Sequence, residues 1–200
     1  MSPRAPAQAR GRRRKDALLD AAAAILEDGG FAQVTHRAVA DRAALPLAAT
    51  TYYFRSRDDL LTQAFARLVD RDVAEMWDGL RLIEATEPAA AAAAVVAALA
   101  PRDDTARDRR LALWELYFQA GRDPALRPLA RTWTNGCHEI VARLLEKGGY
   151  PHSPADVRLV LATVEGLLVE DLVEMRPDSF QIMVETVTRL LAAVRAAGPH

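Results

Sequence analysis

Residues 44–61 read ALPLAATTYYFRSRDDLL: small side chains, then adjacent phenols at Tyr52 and Tyr53, then guanidiniums at Arg55 and Arg57. Pro46 has a fixed φ that suits the first position of a helix. With Thr50 and Phe54 as an inward-facing i, i+4 pair, the pairs Ala48–Tyr52 and Ala49–Tyr53 project outward. Two exposed phenols beside guanidiniums serve no ordinary core helix. Small residues let a backbone approach a surface closely, and hydroxyls and guanidiniums reach phosphates, so the stretch reads as a helix that enters the major groove of duplex DNA.

Working outward, a first helix is expected over about 12–28, with Leu18, Ala22, Ile25 and Leu26 as its apolar stripe and Gly29-Gly30 as its stop. Phe31 and Val34 return the chain to that stripe. Thr35 is placed to cap a short second helix whose inward residues are Val39 and Ala43. A few residues later the helix near Pro46 begins, and the three together make a helix-turn-helix head. In such a head the second of the two short helices enters the groove. Leu47, Ala48 and Tyr52 then face base edges, with Ala49 beside them. Tyr53, Arg57, Thr35, His36 and Arg37 hold phosphates and set register.

No stretch alternates with a period of two for long enough to predict a sheet, so the fold class is all-α. Asp58 and Asp59 open a long helix to about residue 84. Further helices are expected at about 89–99, 103–120, 125–147, 154–175 and 179–196, between prolines. The expected organisation is a disordered basic arm over 1–11, the head over 12–57, and a larger helical bundle over 58–200. The segment from Ala155 to Met175 carries two apolar stripes. Val157, Val160, Leu161, Val164, Leu168 and Leu172 suit the chain's own core, while Leu159, Thr163, Gly166 and Leu167 form a second face. With Met183 and Leu190 of the last helix, that face predicts a two-fold homodimer.

Composition agrees with a globular chain, half of it apolar and 26% charged. The net charge of −1 hides a division: residues 1–57 hold 10 Lys and Arg against 5 Asp and Glu, and residues 58–200 hold 16 against 22. A basic head on an acidic body points to an anionic partner for the head, with nucleic acid ahead of membrane. The single Cys137 cannot form an internal disulfide, no Cys or His cluster has metal-ligand spacing, and a reducing cytoplasm is the expected compartment. Neither a signal peptide nor a membrane span is expected, and no cofactor is implied. No Gly-rich phosphate loop, HExxH pair or nucleophile elbow is present, and Cys137 with His138 cannot act as a catalytic pair by adjacency. The chain is not read as an enzyme.

Thr35, Val39, Ala40, Ala43, Leu45, Pro46, Tyr52-Tyr53-Phe54, Ser56, Asp59 and Leu60-Leu61 stand at the spacings of a known signature. Over about residues 12–61 the chain resembles the TetR-type transcriptional regulators, with Ala44 and Ala48 where that family usually has Gly and Thr51 where many members have Tyr. The resemblance implies a homodimeric regulator, more often a repressor, on double-stranded operator DNA. It also implies that the bundle over 58–200 serves ligand binding and dimerisation, so that a small, largely apolar effector there would release the DNA by shifting the spacing of the heads. Trp114, Tyr117, Trp133 and His138 are the candidate effector contacts. The alternative is a helical ligand-binding protein whose head has weakened DNA affinity.

Overall fold

A computed structural model describes residues 4–81, 88–100 and 103–197. Among the described residues there are nine α-helices and no strand: α1 (Arg4–Gly29), α2 (His36–Arg42), α3 (Leu47–Tyr53), α4 (Arg57–Arg81), α5 (Pro88–Leu99), α6 (Asp104–Arg122), α7 (Arg127–Lys147), α8 (Pro154–Glu174) and α9 (Ser179–Ala197). Short 3-10 turns occupy Phe31–Gln33 and Pro124–Leu126. The first helix begins earlier than expected, so the described part of the 1–11 arm is helical. Ala7, Gln8, Ala9 and Arg10 are strong helix formers that extend α1 backward. Residues 1–3 of that arm, and 82–84 of the expected long helix, lie outside the described residues.

The chain divides into two compact units. One comprises Met1–Asp72 with Asp103–Arg131, the other Val73–Arg102 with Thr132–His200. The first unit is built on Leu18, Ala22 and Leu26 of α1, which lie buried with Val34, Val39, Phe54, Leu60, Phe65 and Leu68. Gly30 leaves α1 at φ 73, a left-handed value that only a residue without a Cβ adopts freely. The Phe31 ring then stacks on Phe65, centroids 6.4 Å apart. From α6, Glu115 accepts a 2.7 Å hydrogen bond from the Phe31 amide. Glu27 of α1 pairs with Arg71 of α4 and, at 2.9 Å, with Arg109 of α6.

In the second unit, α9 packs against both α5 and α8. Its buried stripe is Met183, Val187, Leu191 and Val194, opposite Val160, Leu161, Val164 and Leu168 of α8. Met183 therefore belongs to the protomer's own core at 4% exposure and is not on an outward face, a correction to its expected place at a dimer contact. It shares an i, i+4, i+8 row with Val187 and Leu191, and that row faces inward. Leu159 is 49% exposed, Gly166 is open, and Thr163, Leu167 and Leu190 are half-buried. A Cβ added at Gly166 would meet nothing within 4 Å. Ser153 and Asp156 form a capping box at the start of α8, and Met175 ends it at φ 48.

Candidate nucleic-acid interface

The local sequence explains how α2 and α3 are set. Thr35 is extended, at φ −130 and ψ 156, and its hydroxyl accepts a hydrogen bond from the Ala38 amide at 3.1 Å. The turn out of α2 is closed by the Leu45 amide donating to Ala40 O at 3.0 Å. Ala44 meets this geometry at φ 52, a left-handed conformation that costs a residue with a Cβ about 1–2 kcal/mol. Pro46 sits one step earlier than expected. Its ψ of 143 makes it the residue that precedes α3, with no side-chain cap. Thr50 is fully buried and its hydroxyl donates to Leu47 O at 2.7 Å, while Phe54 is 1% exposed. These two fix the rotation of α3.

The outward residues follow from that rotation. Tyr52 is 81% exposed, Leu47 and Ala48 are exposed, and Ala49 and Tyr53 are half-buried. The two phenol rings meet edge to face with centroids 5.0 Å apart, each limiting the other's freedom. Thr35 and Arg37 are exposed at the start of α2, and His36 is half-buried with Nδ1 enclosed and unpartnered.

Arg57, expected as a phosphate ligand, also has partners inside the head. Its Nε donates to Val34 O and its Nη2 to Phe31 O, each at 2.8 Å, and its guanidinium lies 4.9 Å from the Phe31 ring centre. Standing at the first residue of α4, it reaches back to carbonyls that no helix satisfies. Its donors brace the head.

Two further residues join the site that sequence reasoning did not assign to it. Arg10 and Arg14, an i, i+4 pair on α1, are exposed and border a concavity of ≈ 650 Å³ whose other wall is Ala48, Ala49, Tyr52 and Tyr53 of α3. Neither has an acidic partner among the described residues. Their spacing is the available signal, but only a helical N-terminus gives it a direction.

The four candidate effector contacts divide between the units. Trp114 and Tyr117 belong to the first, where Trp114 is half-buried with an unpartnered Nε1 and Tyr117 is 48% exposed. Trp133 and His138 belong to the second, where Trp133 is buried in the core. His138 is half-buried at a groove between α7 and the start of α8, and burial, followed by the nearby Arg158 guanidinium, lowers its pKa from the ordinary 6.5.

Residues 18–64 match the model of bacterial regulatory proteins of the tetR family, and residues 86–197 match that of the tetracyclin repressor-like C-terminal domain. Among solved structures, the chain is similar to the transcriptional regulator SCO7518 of Streptomyces coelicolor, at 27% identity and TM-score 0.71, over 90% of this chain and 98% of that one. It is similar to SCO1917, a TetR-family member from the same organism, at 28% identity and TM-score 0.68, over 88% and 97%. The multidrug-binding protein EbrR in complex with proflavin is 27% identical with TM-score 0.66, over 88% and 99%. No curated protein matches the chain.

Proposed function

The chain belongs to the TetR family of DNA-binding transcriptional regulators, whose members are not enzymes, and from that premise we propose a homodimeric, ligand-responsive repressor acting in the cytoplasm. Its two α3 helices enter successive major grooves of a palindromic operator about one helical turn apart. A small, largely apolar effector binds the body and favours a conformation whose heads no longer match the half-sites.

The observation that carries the reading is the rotation of α3. Thr50 and Phe54 are buried on one side, while Tyr52 stands 81% exposed on the other beside Ala48 and Ala49. Leu47, Ala48 and Tyr52 are assigned to base edges. Tyr53, Arg10, Arg14, Thr35, His36 and Arg37 are assigned to phosphates, and Arg57 holds the head in shape. The open α8 face at Leu159, Thr163, Gly166 and Leu167, with Leu190 of α9, is assigned to the dimer contact. No described helix is long and apolar enough to cross a membrane.

Retardation of the chain's own promoter fragment tests this. Tyr53→Ala is expected to weaken binding about tenfold, a loss of about 1.4 kcal/mol. Arg10→Gln with Arg14→Gln should weaken it further and flatten its salt dependence by about 0.9 for each phosphate no longer neutralised. Binding that ignores both salt and these substitutions would refute the scheme.

A further inference from the structure

Between α7 and the start of α8 lies an open groove of ≈ 390 Å³, within the range that ligand sites occupy. Its floor is apolar, made by Ala142 of α7 and the 6% exposed Val157 of α8. Its polar lining is His138 and Glu139 of α7, His152 just before α8, and Arg158. His138, Glu139 and Arg158 have no hydrogen-bond or ion-pair partner among the described residues. His152 is oriented by Nδ1, which lies 2.9 Å from Tyr150 O, so its other ring nitrogen is left for a ligand.

The charges are not evenly spread. Arg158 lies near enough to His138 to disfavour its protonation, while Glu139, next along α7 but turned about 100° away, gives His138 no compensating stabilisation. The groove thus holds one guanidinium, Arg158, beside an imidazole at His138 whose lowered pKa keeps it neutral near pH 7, with the Glu139 carboxylate also in the lining and alkyl carbon at Ala142 and Val157. A cation would meet the guanidinium there, and no group of three His, Cys, Asp or Glu side chains among the described residues can hold a metal ion. An unpaired guanidinium offers two parallel donors, the geometry that a carboxylate accepts. The alkyl floor favours an organic anion over an inorganic one.

We propose that this groove binds a small organic carboxylate, its anionic end against Arg158 and the neighbouring imidazoles and its apolar body on Ala142 and Val157. This names a chemical class for the effector and rests on the reading that the chain takes one.

Calorimetric titration of the full chain with benzoate, and with benzamide as its neutral counterpart, reads the charge requirement. Benzoate is expected to bind at least tenfold tighter than benzamide. Arg158→Gln should weaken benzoate tenfold or more and leave benzamide unchanged. The substitution is at an exposed position, so the fold should hold, and thermal melting checks it. Equal affinity for the two probes, benzoate binding indifferent to Arg158→Gln, or no heat from either probe at millimolar concentration overturns the proposal. Retardation of the promoter fragment on the same preparations keeps the two readings apart. A chain that selects benzoate through Arg158 but ignores DNA upholds the groove and removes the regulator reading alone.

Discussion

Two faces of this chain are open to solvent, and their chemistry tells them apart. The outward side of α3 carries small residues and two phenols, with unpaired guanidiniums at Arg10 and Arg14 beside it. The outward side of α8 carries Leu159 at 49%, Val169 at 39% and Val173 at 81% exposure, around an open Gly166. The first suits a polyanion that a close backbone can approach. The second suits an apolar surface, such as that of the proposed dimer contact. Salt separates them: binding at α3 should weaken steeply as salt rises, while association through α8 should not.

The largest expected effect comes from charging the α8 face. Leu167→Glu buries an unpaired carboxylate on association and should cost about 3 kcal/mol or more, a hundredfold or greater loss of dimer. Sedimentation at micromolar concentration reads it. Met183→Ala, by contrast, opens a cavity in the protomer's core and lowers the melting temperature through the transfer and cavity terms, since its side chain is already buried without a partner copy. A variant at Leu167 that stays dimeric would move the interface elsewhere.

A smaller effect tests the turn that aims α3. Ala44 in the head and Met175 after α8 are the described non-glycine residues at positive φ, at 52 and 48. Ala44→Gly removes the Cβ penalty and adds unfolded-state entropy, for a net gain of about 0.5–1 kcal/mol. Met175→Gly should gain about as much. Only the first sits beside α3, the helix proposed to enter DNA, so only it should alter operator affinity. Equal shifts in affinity from both would deny the turn a role in aiming α3.

The head is legible in the sequence because its determinants are local. Thr35 caps within its own turn, and the i, i+4 pair Thr50–Phe54 sets the rotation of α3 from positions four apart. Arg57 reads as a phosphate ligand alone, and its bracing role is not legible, because its partners Phe31 and Val34 lie 26 and 23 residues earlier, and only folding brings those carbonyls to it. Met183 shows a related limit. Period 3.6 identifies an apolar row but not which of two neighbours covers it. The aromatic residues of the body are harder still, since Trp133 in a core and a tryptophan against a ligand share the same spacing. The carboxyl-binding groove draws on Arg158, a residue with no local pattern around it, and becomes visible only when α7 and α8 are side by side.

The smallest effects distinguish the two regions by pH. At the start of α4, Asp59 accepts from the Arg55 amide at 2.8 Å and from Gln63 at 2.7 Å, and these bonds, the first foremost, lower its pKa below 3.8 against a minor opposing burial. A depressed carboxylate stabilises the fold above its unfolded pKa, so this contribution is lost as pH falls below about 3.8. In the body, the lowered pKa of His138 has the opposite origin, burial of a group that becomes charged. The unfolded chain then binds the proton more readily than the folded one, so stability drops as pH falls below 6.5, well before Asp59 responds. His138→Asn should flatten the melting-temperature profile just below pH 6.5 and leave the acid limb below about pH 3.8 intact, while Asp59→Asn should do the reverse. Benzoate in the groove would add a negative charge beside His138, raise its pKa and shift the first limb to the stabilising side. An unchanged limb with benzoate bound would place the carboxylate away from His138 and confine its binding to Arg158.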